Sequence, residues 1–400
     1  MAEVFEEPEF VIDLTAPQVS IADVENQTAY AGAVAPSISY SDTNFDPLMA
    51  TYELTGASKG PAYPMGIAES EAATSKEVRF PDFEHTLEWD DVYTLTAKVT
   101  DLAGNESTDE VVFSVNRFGS NYVLVDGSEG IGGTYLARPQ DVHIREINVS
   151  GLDTSGSHAE VVRDSRVQSL TAGADYEAQA GDASGWSEAT YSFPADLFGV
   201  DGYYRILLTS KDKAGNLSQN TMDGKNEHRD GTAAVDFAVD QTAPDSDVIG
   251  LSSGSVYLRP ALDLGVDARD NLAVEGARLT IDGNEAASWS ADELGSTVPQ
   301  YALAADGQVH QVRLETTDRA GNTTVATYDN VVVVGDWIAY IRTTPGLLYG
   351  TIAGGVGHRG SSRDRRRDVR AAPPRNGAPS QPLRALRTPR VLGFIPHRAV

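Results

Sequence analysis

Two short stretches of this 400-residue sequence combine residue types that carry chemistry in other proteins. Residues 250–254 read Gly-Leu-Ser-Ser-Gly and match the G-x-S-x-G pattern, in which a nucleophilic serine stands between a strand and a helix. Residues 42–46 match the first five positions of an EF-hand calcium loop, and Glu53 falls at the twelfth position, where a bidentate glutamate belongs. Both patterns work only on particular flanking elements.

The flanking sequence favours neither kind of site. A strand, not a helix, is predicted after Gly254, because Val256 begins an apolar run. The sixth position of the calcium loop is Pro47 instead of the glycine that its sharp turn needs, and strand-like alternation surrounds the loop. We therefore predict that both stretches are ordinary loops.

The cysteine and histidine content limits the chemistry further. The sequence has no cysteine, which excludes disulfides, thiolate zinc sites and cysteine nucleophiles. No two of the seven histidines lie three or four residues apart, the spacing that would place two imidazoles on one helix face. The sequence thus predicts no catalytic residue, no cofactor-binding residue and no metal site within a domain, and we expect a protein that is not an enzyme.

The charge is strongly acidic and unevenly distributed. The formal net charge is −27, which argues against binding to nucleic acid or to anionic lipid. From Arg359 to the C-terminus, however, the chain holds 11 Arg and 2 Asp, so this tail carries +9 and the rest carries −36. The body and the tail therefore need separate explanations.

An internal repeat organises the acidic body. The pattern D-x-A-G-N begins at Asp101, Asp212 and Asp318, with spacings of 111 and 106 residues. A second pattern, D-x-T-A-P, begins at Asp13 and Asp240. A repeat of about 110 residues is far longer than a solenoid repeat and has the size of a whole domain, so these patterns predict a tandem array.

The residues before each D-x-A-G-N pattern alternate between apolar and polar, which predicts strands with one buried face. The alternating apolar positions are Tyr93, Leu95, Ala97 and Val99 in the first copy, Tyr204, Ile206 and Leu208 in the second, and His310, Val312, Leu314 and Thr316 in the third. Ala-Gly-Asn between two strands predicts a hairpin turn, as does Asp282-Gly283. No stretch of 12 residues has a helical period, so the chain is predicted to be all-β.

These motifs resemble the immunoglobulin-like repeats of large bacterial surface proteins. The resemblance covers roughly residues 11–336 and implies tandem antiparallel β-sandwiches in an extended array. Tyr93 and Tyr204 stand where such sandwiches carry a tyrosine corner, whereas the third repeat has His310 there. The second repeat also departs from the pattern, because it begins with Asn116 instead of D-x-T-A-P.

The predicted organisation has six parts. They are a leader or linker over 1–10, domain 1 over 11–117, domain 2 over 118–239 with a polar insertion, domain 3 over 240–336, an incomplete apolar segment over 337–357, and a disordered Arg- and Pro-rich tail over 358–400. The uncharged run of the apolar segment lasts about 15 residues, fewer than the roughly 20 that a membrane span needs.

Three interpretations of the C-terminal end stay open. It is a basic juxtamembrane tail on a short anchor, an arginine-rich arm that binds an acidic partner, or the product of a reading-frame shift near Gly355. We favour the frame shift because the composition changes abruptly inside an unfinished apolar run. The N-terminus lacks the basic and apolar regions of a signal peptide, so we expect a cytoplasmic protein or a chain that starts inside a longer gene product.

The resemblance implies a stalk or adhesin-like segment on the bacterial cell surface, with host glycans, matrix proteins or neighbouring domains as partners. An accessory or carbohydrate-binding region of a larger extracellular enzyme is the alternative. One tryptophan per domain (Trp89, Trp186 and Trp289) predicts core packing, with a sugar-stacking platform as the other reading. The D-x-T-A-P and D-x-A-G-N aspartates lie at domain ends, so Ca²⁺ could bind where the hairpin of one domain meets the start of the next.

Overall fold

The computed structural model describes residues 11–61, 64–153, 155–183, 186–221 and 233–344. The predicted leader, all of the predicted apolar segment beyond Thr344 and the whole basic tail lie outside the described residues.

Domain 1 is a sandwich of a four-stranded and a five-stranded sheet. Its strands are β1 (Gln18–Ala22), β2 (Thr28–Tyr30), β3 (Ser37–Ser41), β4 (Ala50–Gly56), β5 (Gly60–Pro61), β6 (Ile67–Ala72), β7 (Ser75–Arg79), β8 (Asp91–Thr100) and β9 (Glu106–Val115), with 3₁₀ turns at Pro47–Met49 and Leu87–Trp89. The sheets have the orders β1-β3-β7-β6 and β2-β9-β8-β4-β5. Neighbours are antiparallel except β2 and β9, which run parallel.

Domain 2 repeats this arrangement. Its strands are β10 (Asn121–Val125), β11 (Tyr135–Leu136), β12 (Val142–Asn148), β13 (His158–Arg163), β14 (Arg166–Leu170), β15 (Glu177–Ala183), β16 (Trp186–Phe193), β17 (Gly202–Lys211), β18 (Leu217–Gln219) and β19 (Val235–Val239), with a 3₁₀ helix at Ala195–Phe198. The sheets are β10-β12-β16-β15 and β11-β19-β17-β13-β14, and β18 pairs with β17. The predicted polar insertion follows the second D-x-A-G-N motif, and its first residues form strand β18. Residues 222–232 of the insertion lie outside the described part of the chain.

Domain 3 has a three-stranded and a five-stranded sheet, β20-β22-β25 and β21-β27-β26-β23-β24. Its elements are β20 (Asp245–Ile249), β21 (Val256–Leu258), β22 (Ala261–Arg269), β23 (Val274–Ile281), β24 (Asn284–Ser290), α1 (Ala291–Ser296), β25 (Gln300–Ala304), β26 (Val309–Asp318), β27 (Thr323–Val334) and α2 (Trp337–Thr343). The prediction missed α1, although Ser290 and Glu293 form the capping box that signals a helix start.

Each domain has its own core, built by the alternation that the sequence predicted. Tyr93, Leu95, Ala97 and Val99 of β8 are all 0% exposed, and the matching apolar residues of β17 and β26 are buried as well. The prediction of tandem antiparallel immunoglobulin-like sandwiches is therefore confirmed for the described residues. Among those residues, no helix combines the length and the apolar character needed to cross a bilayer.

The predicted hairpin turns are confirmed. The glycines of the three D-x-A-G-N motifs have φ of 92°, 91° and 89°, which is the left-handed conformation that glycine adopts without a steric penalty. Asp282 and Gly283 have φ of 52° and 81° and join β23 to β24 with Ile281 opposite Asn284. Two consecutive positive φ values are those of a type I′ hairpin turn.

A tyrosine corner closes domains 1 and 2. The Tyr93 hydroxyl donates a 3.0 Å hydrogen bond to the Trp89 carbonyl oxygen, and the Tyr204 hydroxyl donates to the Val200 carbonyl oxygen. Both contacts span four residues and hold the turn before β8 and β17 against the strand. The expectation drawn from the resemblance is thus met in these two domains.

In domain 3 a histidine takes over this position. His310 is 8% exposed, its Nδ1 lies 2.7 Å from Asp282 Oδ2, and its Nε2 lies 3.1 Å from Asp306 Oδ1. Burial lowers the pKa of His310, but the hydrogen bonds with Asp282 and Asp306 and their charges outweigh it, and the net pKa is raised above 6.5. When it is protonated, the imidazole donates to two carboxylates, where a tyrosine would make one neutral bond.

The stability of domain 3 should consequently depend on pH. Because the folded pKa of His310 is raised, its contribution is complete below the unfolded pKa of about 6.5 and is lost as the pH rises through the folded value. We expect the β26 amides to exchange faster as the pH rises above 6.5, after correction for intrinsic exchange rates. His310→Tyr should remove the His310 part of this slope and leave only the smaller part from the buried Asp240, whose pKa is also raised, to about 6. His85→Gln, at an exposed histidine beside Asp82, should leave the whole slope unchanged. A slope of unreduced size in His310→Tyr would contradict this assignment.

Candidate cation sites at the domain junctions

The two stretches with catalytic or EF-hand patterns are loops, as predicted. Residues 250–254 connect β20 to β21 with no helix after them, and the Ser252 amide donates to the Tyr257 hydroxyl. Glu53 lies exposed in β4, and Asp46 caps the 3₁₀ turn at Pro47–Met49. Asp42, however, belongs to a different cluster of carboxylates.

The D-x-A-G-N hairpin holds its aspartate with both oxygens engaged. In domain 3, the Asn322 backbone amide donates to Asp318 Oδ1 and the Asn322 side-chain amide to Asp318 Oδ2, each at 2.8 Å. The equivalent bonds are 2.8 and 2.8 Å in domain 1 and 2.8 and 2.9 Å in domain 2. The hairpin thus presents a fixed carboxylate at the same pole of every domain.

The first residue of the second and of the third repeat is bound to two domains. The Asp240 amide donates at 2.9 Å to the Leu136 carbonyl oxygen of domain 2, while the Asn322 side chain of domain 3 donates at 2.8 Å to the Asp240 carbonyl oxygen. From the sequence, an end hairpin is expected to meet the start of the following domain. The structure instead brings each start residue to the hairpin of its own domain, and in domains 2 and 3 the start residue directly follows the last strand of the preceding domain.

A third carboxylate directly follows the strand that pairs with the first strand of the smaller sheet, which is β3 in domain 1 and β22 in domain 3. The register pairs Gln18 with Ser41 in domain 1 and Asp245 with Arg269 in domain 3, and the next residues along these strands are Asp42 and Asp270. Neither residue belongs to the D-x-T-A-P or D-x-A-G-N motif, and only the strand register shows which side chains they meet.

Two clusters of three aspartates result: Asp13, Asp42 and Asp101 in domain 1, and Asp240, Asp270 and Asp318 in domain 3. In each cluster one carboxylate oxygen from every residue lies within 4.8 Å of the others. Three negative charges at this separation repel one another unless a proton or a cation lies among them.

The domain 3 cluster contains unsatisfied oxygens. Asp240 is 0% exposed, and among the described residues neither Asp240 Oδ2 nor Asp270 Oδ1 has a hydrogen-bond partner. Burial raises the pKa of Asp240 to about 6, and the negative charge of Asp270 adds to the rise. A buried carboxylate without a partner is costly, and hard oxygen ligands of this kind suit Ca²⁺. The residues therefore fit a divalent cation.

The domain 1 cluster is more open. Asp13 Oδ2 accepts a 2.7 Å hydrogen bond from the Asn44 side chain, and Asp13 Oδ1 accepts one of 2.9 Å from the Thr15 amide. The bond from Asn44 lowers the pKa of Asp13, with a further contribution from the Thr15 amide. This cluster offers the same three carboxylates as domain 3, in a more hydrated setting.

A fourth aspartate anchors each linker from the preceding domain. Asp201 stands three residues before Tyr204, and its carboxylate accepts bonds from the Gln241 amide at 2.9 Å, the Thr242 hydroxyl and the Asn271 side chain at 3.1 Å. In domain 1 the equivalent residue is Asp90, whose carboxylate accepts the amide of the linker residue Arg117 at 3.0 Å. The loop before β8 or β17 therefore makes both contacts: it accepts the tyrosine hydroxyl at a backbone carbonyl oxygen and the linker amide at its aspartate.

The tryptophans serve packing and contact roles. Trp89 packs edge-on against Phe83 with ring centroids 5.9 Å apart, and Trp289 packs against the domain 3 core. Trp186 donates from Nε1 to Asp91 Oδ1 of domain 1 at 2.8 Å, so it connects two domains. A pocket of about 270 Å³ in domain 2 is lined by Asp141, His143, Asp175 and Tyr176 among others, but the Tyr176 ring is buried against Phe193 and is not a stacking surface.

No family model and no curated protein matches the chain. Among solved structures, domains A168–A170 of titin cover 79% of this chain and 99% of their own at 11% identity, with a TM-score of 0.32. A tetra-tandem repeat from the extending region of a large adhesion protein covers 78% of this chain and 73% of its own at 19% identity, with a TM-score of 0.31. The mouse nectin-like molecule 4 ectodomain covers 78% and 99% at 12% identity, with a TM-score of 0.32. These scores carry no argument about function.

The role of Asp201 can be tested by hydrogen exchange at the linker. Asp201→Ala removes the acceptor of the Gln241 amide and should make residues 240–244 exchange about tenfold faster or more, because a lost bond to a charged group costs roughly 1.5–3 kcal/mol. Asp196→Ala changes the same charge at an exposed position nearby and should leave this exchange unchanged. Equal exchange in both variants would contradict the anchoring role.

Proposed function

We propose that this chain is a non-enzymatic stalk or adhesin-like segment of a bacterial surface protein, exposed outside the cell, in which Ca²⁺ holds the junction between domains 2 and 3. The observation that carries the proposal is Asp240, which directly follows the last strand of domain 2, donates its amide to Leu136 of that domain and also supplies a carboxylate to the domain 3 cluster. A cation bound there would join two domains through a single residue.

The contacts at the junction between domains 2 and 3 support the proposed role as a stalk. Strand β19 ends at Val239, and β20 begins at Asp245 with Pro244 directly before it, so the linker is short and contains a residue with a fixed φ. Arg319 of the domain 3 hairpin also lies over the Tyr135 ring of domain 2, with its guanidinium carbon 5.6 Å from the ring centroid. Stiff joints suit a spacer that keeps another domain away from a surface.

The net charge of −27 supports the same role. The acidic surface of the body before the basic tail keeps a long protein soluble and makes neighbouring copies repel one another. Attachment through the C-terminal apolar segment stays a prediction, because most of that segment lies outside the described residues.

The cation proposal predicts that Ca²⁺ stabilises the chain. At a Ca²⁺ concentration of 100 times the dissociation constant, a site present only in the folded state should add about 2.7 kcal/mol to the free energy of unfolding. Differential scanning calorimetry with Ca²⁺ and with chelator measures this difference, and calorimetric titration should find two ions per chain. Asp240→Asn should remove one ion and abolish the stabilisation of domain 3.

A control variant and a comparison of unfolding midpoints test the cation proposal. Asp263→Asn, which changes an exposed aspartate of domain 3 outside the cluster, should retain both ions and serves as the matched control. Identical unfolding midpoints of the unmodified chain with Ca²⁺ and with chelator would refute the cation proposal.

Adhesion and a plain spacer role make different predictions about partners. An adhesin-like segment should bind matrix proteins or glycans in a solid-phase assay with the full chain, whereas a spacer should bind neither. Binding to polysaccharide that quenches tryptophan fluorescence would favour the alternative of a carbohydrate-binding region attached to a larger extracellular enzyme.

A further inference from the structure

The start of domain 2 carries the same three positions as the two aspartate clusters, but with different chemistry. Asn116 stands where domains 1 and 3 have Asp13 and Asp240, because all three lie five residues before the first residue of the first paired strand. Asn121 pairs with Ile147, so the third position is Asn148. Only the hairpin residue, Asp212, is still an aspartate.

The side-chain amides of the asparagines lie where a cation would otherwise be needed. Nδ2 of Asn116 donates to Asp212 Oδ2 at 2.8 Å, to Ser150 Oγ at 2.9 Å and to Asn148 Oδ1 at 3.2 Å. Nδ2 of Asn148 donates to Ser120 Oγ at 2.8 Å and to Asp212 Oδ2 at 3.4 Å. The hydrogens of two amides therefore point at the oxygens that gather at this pole.

The domain 2 site also carries less negative charge than the domain 3 cluster. Asn116, Asn148 and Asp212 are 0%, 1% and 2% exposed, so all three are buried, whereas Asp270 of the domain 3 cluster is half-buried. The domain 2 site holds one carboxylate instead of three, and both oxygens of that carboxylate accept hydrogen bonds. In domain 3, by contrast, two carboxylate oxygens have no partner among the described residues.

The junction between domains 1 and 2 also has direct contacts of its own. The Arg117 side chain is 4% exposed and donates to the Gly32 and Glu84 carbonyl oxygens and to Asp82 of domain 1. Trp186 of domain 2 donates to the buried Asp91 of domain 1. At the other junction the residue equivalent to Arg117 is Gln241, which is exposed.

We infer that Asn116 and Asn148 make the junction between domains 1 and 2 independent of cations, whereas the junction between domains 2 and 3 needs one. The inference rests on the proposed cation site of domain 3. The chain then contains one permanently closed joint and one joint that tightens when Ca²⁺ is present. Asn116 and Asn148 are the residues that decide which kind of joint is formed.

Hydrogen exchange of the unmodified full chain tests the inference directly. Transfer from Ca²⁺ to chelator should make residues 240–244 exchange about tenfold faster or more, while residues 116–120 keep their rate. If the wild-type chain binds no Ca²⁺ and neither linker responds, the cation proposal itself fails. If Ca²⁺ binds and both linkers respond equally, the cation proposal survives and the inference about domain 2 is overturned.

Reciprocal isosteric exchanges provide a second test. Asn116→Asp combined with Asn148→Asp should raise the calorimetric stoichiometry from two Ca²⁺ ions to three and make the 116–120 linker respond to chelator. Asp240→Asn combined with Asp270→Asn should lower the stoichiometry to one and remove the response of the 240–244 linker. Asn284→Asp, in an exposed hairpin, is the matched control and should bind two ions. An unchanged stoichiometry in folded Asn116→Asp/Asn148→Asp chain would overturn the inference.

Discussion

The residue that directly follows one domain's final strand is hydrogen-bonded to the next domain's hairpin, and the junctions depend on this shared residue. Asp240 donates its amide to Leu136 in domain 2 and accepts the Asn322 side chain of domain 3 at its carbonyl oxygen. Asn116 does the same between domains 1 and 2, with Tyr30 and Asn216 as partners at 2.9 and 2.7 Å. Because both backbone groups of one residue are engaged by different domains, rotation at the junction would break hydrogen bonds on one side or the other.

This connection concentrates polar side chains at one pole of every domain, and their burial creates an electrostatic problem. Domain 2 meets it with neutral amides that donate to the remaining carboxylate. Domain 3 places three carboxylates together and leaves two of their oxygens without a partner among the described residues. The same backbone geometry thus accommodates two kinds of charge balance, and the choice between aspartate and asparagine decides between them.

The tyrosine corner belongs to the opposite pole and completes the connection. Asp90 and Asp201 stand three residues before Tyr93 and Tyr204, and their carboxylates accept the amides of the following linker. The hydroxyl bond of the corner orients the loop that carries this carboxylate. Domain 3 has His310 at the corner and Gly307 three residues earlier. It therefore has no carboxylate at the position from which Asp90 and Asp201 accept a linker amide. The imidazole of His310 instead bridges Asp282 and Asp306.

The sequence by itself determined the strands, the turns and the three-domain repeat, because these follow from local periodicity and from residues that tolerate positive φ, such as Gly104 and Asp282-Gly283. The motifs also included four of the six aspartates of the two clusters. They suggested that each hairpin meets the start of the following domain, whereas it meets the start of its own. Tertiary structure alone decided that Asp270 meets Asp240, that Asn148 meets Asn116, and that Glu146, a charged residue, lies 0% exposed inside domain 2 beside Tyr191 and Ser210. The physical reason is that contacts between residues far apart in the chain depend on which strands pair and on the packing of the facing sheets, whereas the pattern within one strand specifies only which of its faces is buried.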